Sequence, residues 1–222
     1  MTQIALPLMI AASAETILTG PSLEPVLAAL AGADNWPFRA AVLAGPPRSG
    51  KSLIARWFAQ HGAGGQGGGG QGGGGLGGDA LDDADRLPED TLFHRWNRAQ
   101  AEGRPLLLVS GRAPGAWQVA LPDLASRLGA ALMIEIGAPD DDLLRALVES
   151  HAARRGLALG EGVLGYLMPR LERSHAAAEA LVETIDRLSL ERKAAVTISL
   201  ARDALAERIH GVPDAERQPR LL

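Results

Sequence analysis

The sequence predicts an α/β fold in which a parallel sheet is flanked by helices, followed by a smaller all-helical region. Three observations predict it. Short apolar runs alternate with helix-period segments up to about residue 138, the pattern of a parallel sheet with covering helices. Gly45–Ser52 reads GPPRSGKS, a phosphate-binding-loop pattern set between a strand and a helix. From Pro139 onward apolar residues recur at helical spacing and no strand pattern is left.

Each element has its own signal. Residues 23–31 (LEPVLAALA) predict a short helix with Ser22 as N-cap. Arg39–Ala44 is apolar enough for a buried strand, and Lys51–His61 places Leu53, Ile54, Trp57 and Phe58 on one helical face. Asp90–Ala101 is amphipathic, and Pro105–Ser110 (PLLLVS) reads as a buried parallel strand. Leu121–Leu128 predicts a helix with Asp123 near its start, and Leu132–Ile136 a further strand. Four helices follow, over Asp140–Arg155, Glu161–Glu172, Ser174–Leu190 and Thr197–Ile209. Acids at Asp140–Asp142 suit a helix N-terminus, and Ser174 and Thr197 are N-cap residues. The expected domains are residues 1–138 and 139–222.

Composition narrows the function. The 222 residues suffice for a substantial core, and 46% hydrophobic content excludes a disordered chain. A net charge of −4 argues against coating nucleic acid by charge alone. The absence of cysteine excludes disulfides, zinc-thiolate sites and a thiol nucleophile. The apolar stretch Ile4–Ala14 lacks a basic flank and is broken by Pro7, so neither a signal peptide nor a spanning helix is expected, and the reading is a cytoplasmic protein without a membrane role. Residues 62–78 hold 13 glycines in 17 positions and predict a flexible segment. Its GGGGQ repeats suit a natural low-complexity linker and a substituted loop equally. The five histidines show no metal spacing, and no GxSxG elbow is present. Trp36, Phe38, Trp57, Phe58, Phe93 and Trp96 read as core.

The chemistry centres on Gly45-Pro46-Pro47-Arg48-Ser49-Gly50-Lys51-Ser52. The glycines let backbone N–H groups turn toward phosphate oxygens, and the helix N-terminus adds partial positive charge. Lys51 reaches the β- and γ-phosphates, and the Ser52 hydroxyl ligates Mg²⁺. Lys51 is one of two lysines beside 20 arginines, which fits a place requiring a compact ammonium. Asp82 and Asp83 in ALDDADR read as a Walker B pair, Asp82 holding Mg²⁺ and Asp83 polarising water, or as an acidic turn.

Together these residues resemble the DnaA branch of the AAA+ ATPases, and more narrowly the Hda-type regulators of replication initiation. The resemblance spans roughly residues 3–61 and 79–209 and leaves the glycine tract unmatched. Gly20-Pro21-Ser22 resembles a nucleotide-proximal turn, with Leu23 in place of the family's Asn. Leu92–Asn97 resembles the LFHxxN helix. Leu108–Pro114 resembles the sensor 1 strand, with Ser110 its polar sensor. Leu121–Leu128 resembles the box that ends in the arginine finger, which makes Arg127 the finger. Gln3-Ile4-Ala5-Leu6-Pro7-Leu8 is similar to the family's clamp-binding peptide, in which Gln3, Ile4, Leu6, Pro7 and Leu8 would dock on the sliding clamp. Two departures stand out. Glu179 or one of Ala176–Ala178 occupies the sensor 2 arginine position, with Arg173 about two turns earlier, and the glycine tract replaces the strand and helix ahead of Walker B.

The resemblance implies a AAA+ core with a helical lid, binding ADP or ATP with Mg²⁺. It implies at most weak ATPase activity and a main role in stimulating hydrolysis by DnaA. The partners it implies are DnaA, the sliding clamp and, through them, DNA; homodimerisation is compatible with it. The initiator's helix-turn-helix domain has no counterpart before Leu222. The competing readings are a P-loop kinase or NTPase acting on a small molecule, and a catalytically silent AAA+ adaptor.

Overall fold

The structure is a computed structural model that describes residues 20–61 and 78–210. The expected clamp peptide, Gln3–Leu8, and nearly all of the glycine tract lie outside the described residues. The described residues form two compact units that divide between Gly137 and Ala138.

The first unit is built on four parallel strands: β1 (Ala40–Ala44), β2 (Asp79–Leu81), β3 (Leu106–Ser110) and β4 (Leu132–Glu135). Their order across the sheet is β2-β3-β1-β4. Every residue of β1 and β3 is buried, because helices cover both faces. Alternation sorts the side chains. Ala40, Val42, Leu106 and Leu108 face a cluster formed with Leu92, Trp96 and Ala99 of α3 (Glu89–Glu102) and Leu124 and Leu128 of α4 (Pro122–Ala130). α1 (Glu24–Ala31) packs against β4, and α2 (Lys51–His61) against β2 and β3. Phe58 of α2 is fully buried and stacks on Trp36, with ring centroids 5.3 Å apart.

The second unit comprises α5 (Asp141–Arg154), α6 (Glu161–Leu167), α7 (His175–Arg192) and α8 (Ile198–His210). Leu144, Val148 and Ala152 of α5 recur every four residues and meet Leu181, Val182 and Ile185 of α7 and Leu200, Ala201 and Ala204 of α8 in one core. Asp140, Ser174 and Thr197 each accept a backbone N–H of the helix they precede, from Leu143, Ala177 and Leu200.

Four local expectations are corrected. Ser22 does not cap α1; it lies in a 3₁₀ turn over Pro21–Leu23, and Leu23 takes the N-cap position. The helix expected to run to Glu172 ends at Leu167 and gives way to a 3₁₀ turn containing Pro169, which has no N–H to continue the ladder. Arg39 lies outside β1, in a left-handed conformation with φ 48°. Of the aromatics read as core, Phe38 is 62% exposed and Phe93 only half-buried.

Candidate nucleotide site and arginine finger

Because all four strands are parallel, their C-terminal ends share one edge of the sheet, the usual place for a site in such folds. The pairs Ala44–Ser110, Leu81–Leu108 and Ala44–Glu135 set that edge. Asp82 follows β2, Ser110 ends β3, Gly45 follows β1 and Ile136 follows β4. Adjacent strands are about 4.8 Å apart, so register alone brings the Gly45–Ser52 loop, the acidic turn and Ser110 together.

The loop is tightly made. A Cβ on Gly45 would lie 2.9 Å from Ile136 Cβ and 3.2 Å from both Ile136 O and Ser49 Oγ, so only glycine fits. Gly50 has φ 81°, a left-handed conformation that L-residues rarely adopt. Arg48 accepts φ 66° in the same loop. Pro46 and Pro47 carry no N–H, so the backbone donors come from Arg48 onward. Lys51 Nζ donates to Gly45 O at 2.8 Å and Pro46 O at 2.7 Å, spanning the loop. Burial pushes the Lys51 ammonium below the ordinary lysine value, and the charges of Asp82, Asp83 and Asp85 oppose that push without cancelling it. The loop and the acids are therefore within electrostatic reach of each other. Ser49 is 5% exposed, and its buried hydroxyl has no hydrogen-bond partner among the described residues. A glycine-only cradle, a spanning lysine and an orphaned hydroxyl fit a phosphate group.

Asp82 and Asp83 are exposed at the end of β2, and Asp82 Oδ1 accepts the Asp83 N–H at 3.0 Å. Among the described residues no group of three His or acidic side chains gathers to hold a metal. Asp82 and the Ser52 hydroxyl are oxygen donors, of which Mg²⁺ takes one or two beside phosphate and water. Gly20 and Pro21 form the turn ahead of α1, where the Leu23 N–H donates to Gly20 O at 2.9 Å.

Sequence reading gave no separate role to Asp85 or Arg112. Arg112 Nε donates to Asp85 Oδ2 at 3.0 Å, and Ser110 Oγ accepts the Arg112 N–H at 3.0 Å. Trp117 Nε1 donates to Arg112 O at 3.0 Å. Burial pushes the Asp85 carboxyl up, but hydrogen bonds from Arg112 and Ser110 and the Arg112 charge outweigh it and hold it below the ordinary carboxylate value. The end of β3 and the acidic turn are thus one network.

Arg127, in the last turn of α4, is held three ways. Nη1 donates to Asn97 Oδ1 at 2.7 Å, Nη2 pairs with Asp123 at 2.8 Å, and the guanidinium carbon lies 4.8 Å from the Phe93 ring centroid. The side chain remains 29% exposed. In the second unit Arg173 pairs with Asp141 at 2.8 Å, while Ala177 and Ala178 are buried in the helical core.

Comparison with known proteins bears on the fold. Residues 140–205 match the family model of the Hda lid domain. Domain III of the replication initiation protein DnaA from Thermotoga maritima superposes with a TM-score of 0.60 at 16% identity, covering 86% of this chain and 94% of that one. The first unit has the fold of DnaA domain III, and residues 140–205 match the Hda lid domain. AMPPCP-bound DnaA from Aquifex aeolicus shares the fold (TM-score 0.53, 17% identity, 80% of this chain and 66% of that one). So does the Thermotoga maritima RuvB Holliday junction branch migration motor (0.54, 16%, 87% and 70%). An uncharacterized protein of Haemophilus influenzae is 33% identical over 119 residues, 53% of this chain, and the chain spans about half (51%) of that relative's length. The parallel sheet flanked by helices and the helical lid are as the resemblance implied. No helix among the described residues is long and apolar enough to cross a membrane.

Proposed function

We propose that this chain is an adenine-nucleotide-binding regulator of replication initiation that stimulates ATP hydrolysis by DnaA. ADP or ATP binds at Gly45–Ser52, with Lys51 on the terminal phosphates. Ser52 and Asp82 would hold the Mg²⁺ that accompanies them, which supplies charge neutralisation. Asp83 would orient water, and Ser110 would keep the acidic turn in register through Arg112. Arg127 acts on the ATP held by the partner, where a permanently charged planar fork neutralises charge developing on the γ-phosphate.

The observation that carries this reading is the guanidinium of Arg127, fixed by Asn97, Asp123 and Phe93 of its own chain yet still partly exposed. Such a group is oriented in advance for an anion from outside, which lowers the entropy lost on engagement. The Hda-type lid supports the regulatory role, and the AMPPCP named for the Aquifex aeolicus neighbour supports an adenine nucleotide. Residues 3–8 would dock on the sliding clamp, DNA would be reached through these partners, and the protein would act in the cytoplasm.

The test is hydrolysis by DnaA loaded with ATP, in the presence of clamp on DNA. Arg127→Ala is expected to keep ADP and clamp binding and to lower stimulation by about 10³-fold or more. Arg127→Lys keeps the charge and loses the fork, and should recover only a small part. Retained stimulation in Arg127→Ala refutes the finger. Lys51→Ala should lose ADP binding, and unchanged binding refutes the phosphate loop as the site.

A further inference from the structure

Helix α4 carries Arg127 but has no side-chain cap of its own; Leu121 holds the N-cap position and Pro122 opens the helix. The acid that secures its start comes from another helix. Glu89, the first residue of α3, accepts the Ala120 N–H on Oε1 and the Leu121 N–H on Oε2, both at 2.8 Å. Within a single helix, a capping box uses a glutamate at the third position to accept the N-cap N–H. Here a residue 32 positions earlier in the chain makes that bond. Both contacts are charge-assisted, and the carboxylate sits where the α4 dipole favours an anion.

Glu89, Phe93 and Asn97 are spaced by four and so form one stripe along α3. Its first member grips the entry to α4, and the other two grip the guanidinium near the far end. One helix face therefore holds the finger helix at both ends. A slip of one residue along α4 would carry the Arg127 backbone by about 1.5 Å and about 100°, well beyond what oriented catalysis tolerates.

We propose that Glu89 is a positioning residue for Arg127, setting the axial register of α4 on α3 so that the guanidinium meets the partner's phosphate in one geometry. This rests on Arg127 being the finger. The experiment compares the full-length protein with Glu89→Ala, Glu89→Gln and Arg127→Ala. It reads maximal stimulation of DnaA hydrolysis, the half-saturating concentration, and amide hydrogen exchange at Ala120 and Leu121. Glu89→Ala is expected to free both amides and to lower maximal stimulation by about 10- to 100-fold, with the half-saturating concentration within about twofold. Glu89→Gln keeps one acceptor oxygen and no charge, and should fall between. If Glu89→Ala does not fold, as judged by tryptophan fluorescence, Glu89→Gln carries the test alone. Full maximal stimulation in whichever variant is folded, or an effect confined to the half-saturating concentration, overturns the proposal. If at the same time Arg127→Ala abolishes stimulation, the finger stands and only Glu89 falls. If Arg127→Ala retains stimulation, the finger reading falls first and this proposal with it.

Discussion

Removing either partner of the Asp85–Arg112 pair should not cost the same. The two groups meet at 3.0 Å, but the Asp85 side chain is 6% exposed and that of Arg112 55%. Arg112→Ala leaves a buried carboxylate, whose Oδ1 already has no hydrogen-bond partner among the described residues, without its guanidinium. Loss of a hydrogen bond to such a charged acceptor costs about 2–3 kcal/mol. Asp85→Asn leaves a guanidinium already more than half in water, where ion pairing is worth little, and should cost about 1 kcal/mol. The pH dependence separates the two further. The Asp85 carboxyl lies below the ordinary value in the folded protein, so its contribution is complete above the unfolded carboxylate pKa and is lost as pH falls through the folded one. Without Arg112, burial is the largest influence left and the carboxyl moves upward, so acid protonates and relieves it. The gap between wild type and Arg112→Ala should therefore shrink from about 2–3 kcal/mol at pH 7 to about 1 kcal/mol near pH 3.5. Urea unfolding followed by tryptophan fluorescence suits the measurement, because all four tryptophans lie in the first unit and Trp117 donates to Arg112 itself. Equal costs for the two substitutions, or a gap indifferent to pH, would refute the reasoning.

Further outcomes follow from the glycines and from Lys51. A Cβ at Gly78 would lie 2.2 Å from the ring of Phe58, which is pinned against Trp36; Gly78→Ala should cost about 1–3 kcal/mol in the same urea assay. Phe58→Leu should absorb part of that cost in a double-mutant cycle. Gly45→Ala forces the loop off Ile136 and should weaken ADP binding about tenfold or more in a titration, with a smaller effect on unfolding. Since burial holds the Lys51 pKa below the ordinary value, ADP affinity should start to fall at a lower pH than for an exposed lysine as the solution is made alkaline. Lys51→Arg should flatten that decline.

Much of this protein was legible along the chain. The phosphate loop needs one local sequence between a strand and a helix, and each requirement, glycine at 45 and 50, lysine at 51 and a hydroxyl at 52, is a matter of neighbouring residues. α2 runs over Lys51–His61 as its apolar spacing predicts. The helical second unit is equally local, since recurrence every three or four residues states which face is buried. Local rules misjudged Phe38 and Phe93, because burial depends on what another segment covers. Phe93 turns out to support a guanidinium rather than fill the core.

Tertiary structure alone decided what brings Asp85 to Arg112, Glu89 to the Leu121 amide and Asn97 to Arg127. These partners are 27, 32 and 30 residues apart. Their meeting depends on the parallel strand order β2-β3-β1-β4, which lays α3 and α4 on one face of the sheet. Residue types and local spacing determine which groups can bind a phosphate, but the angle at which an arginine is presented is set by contacts between segments distant along the chain.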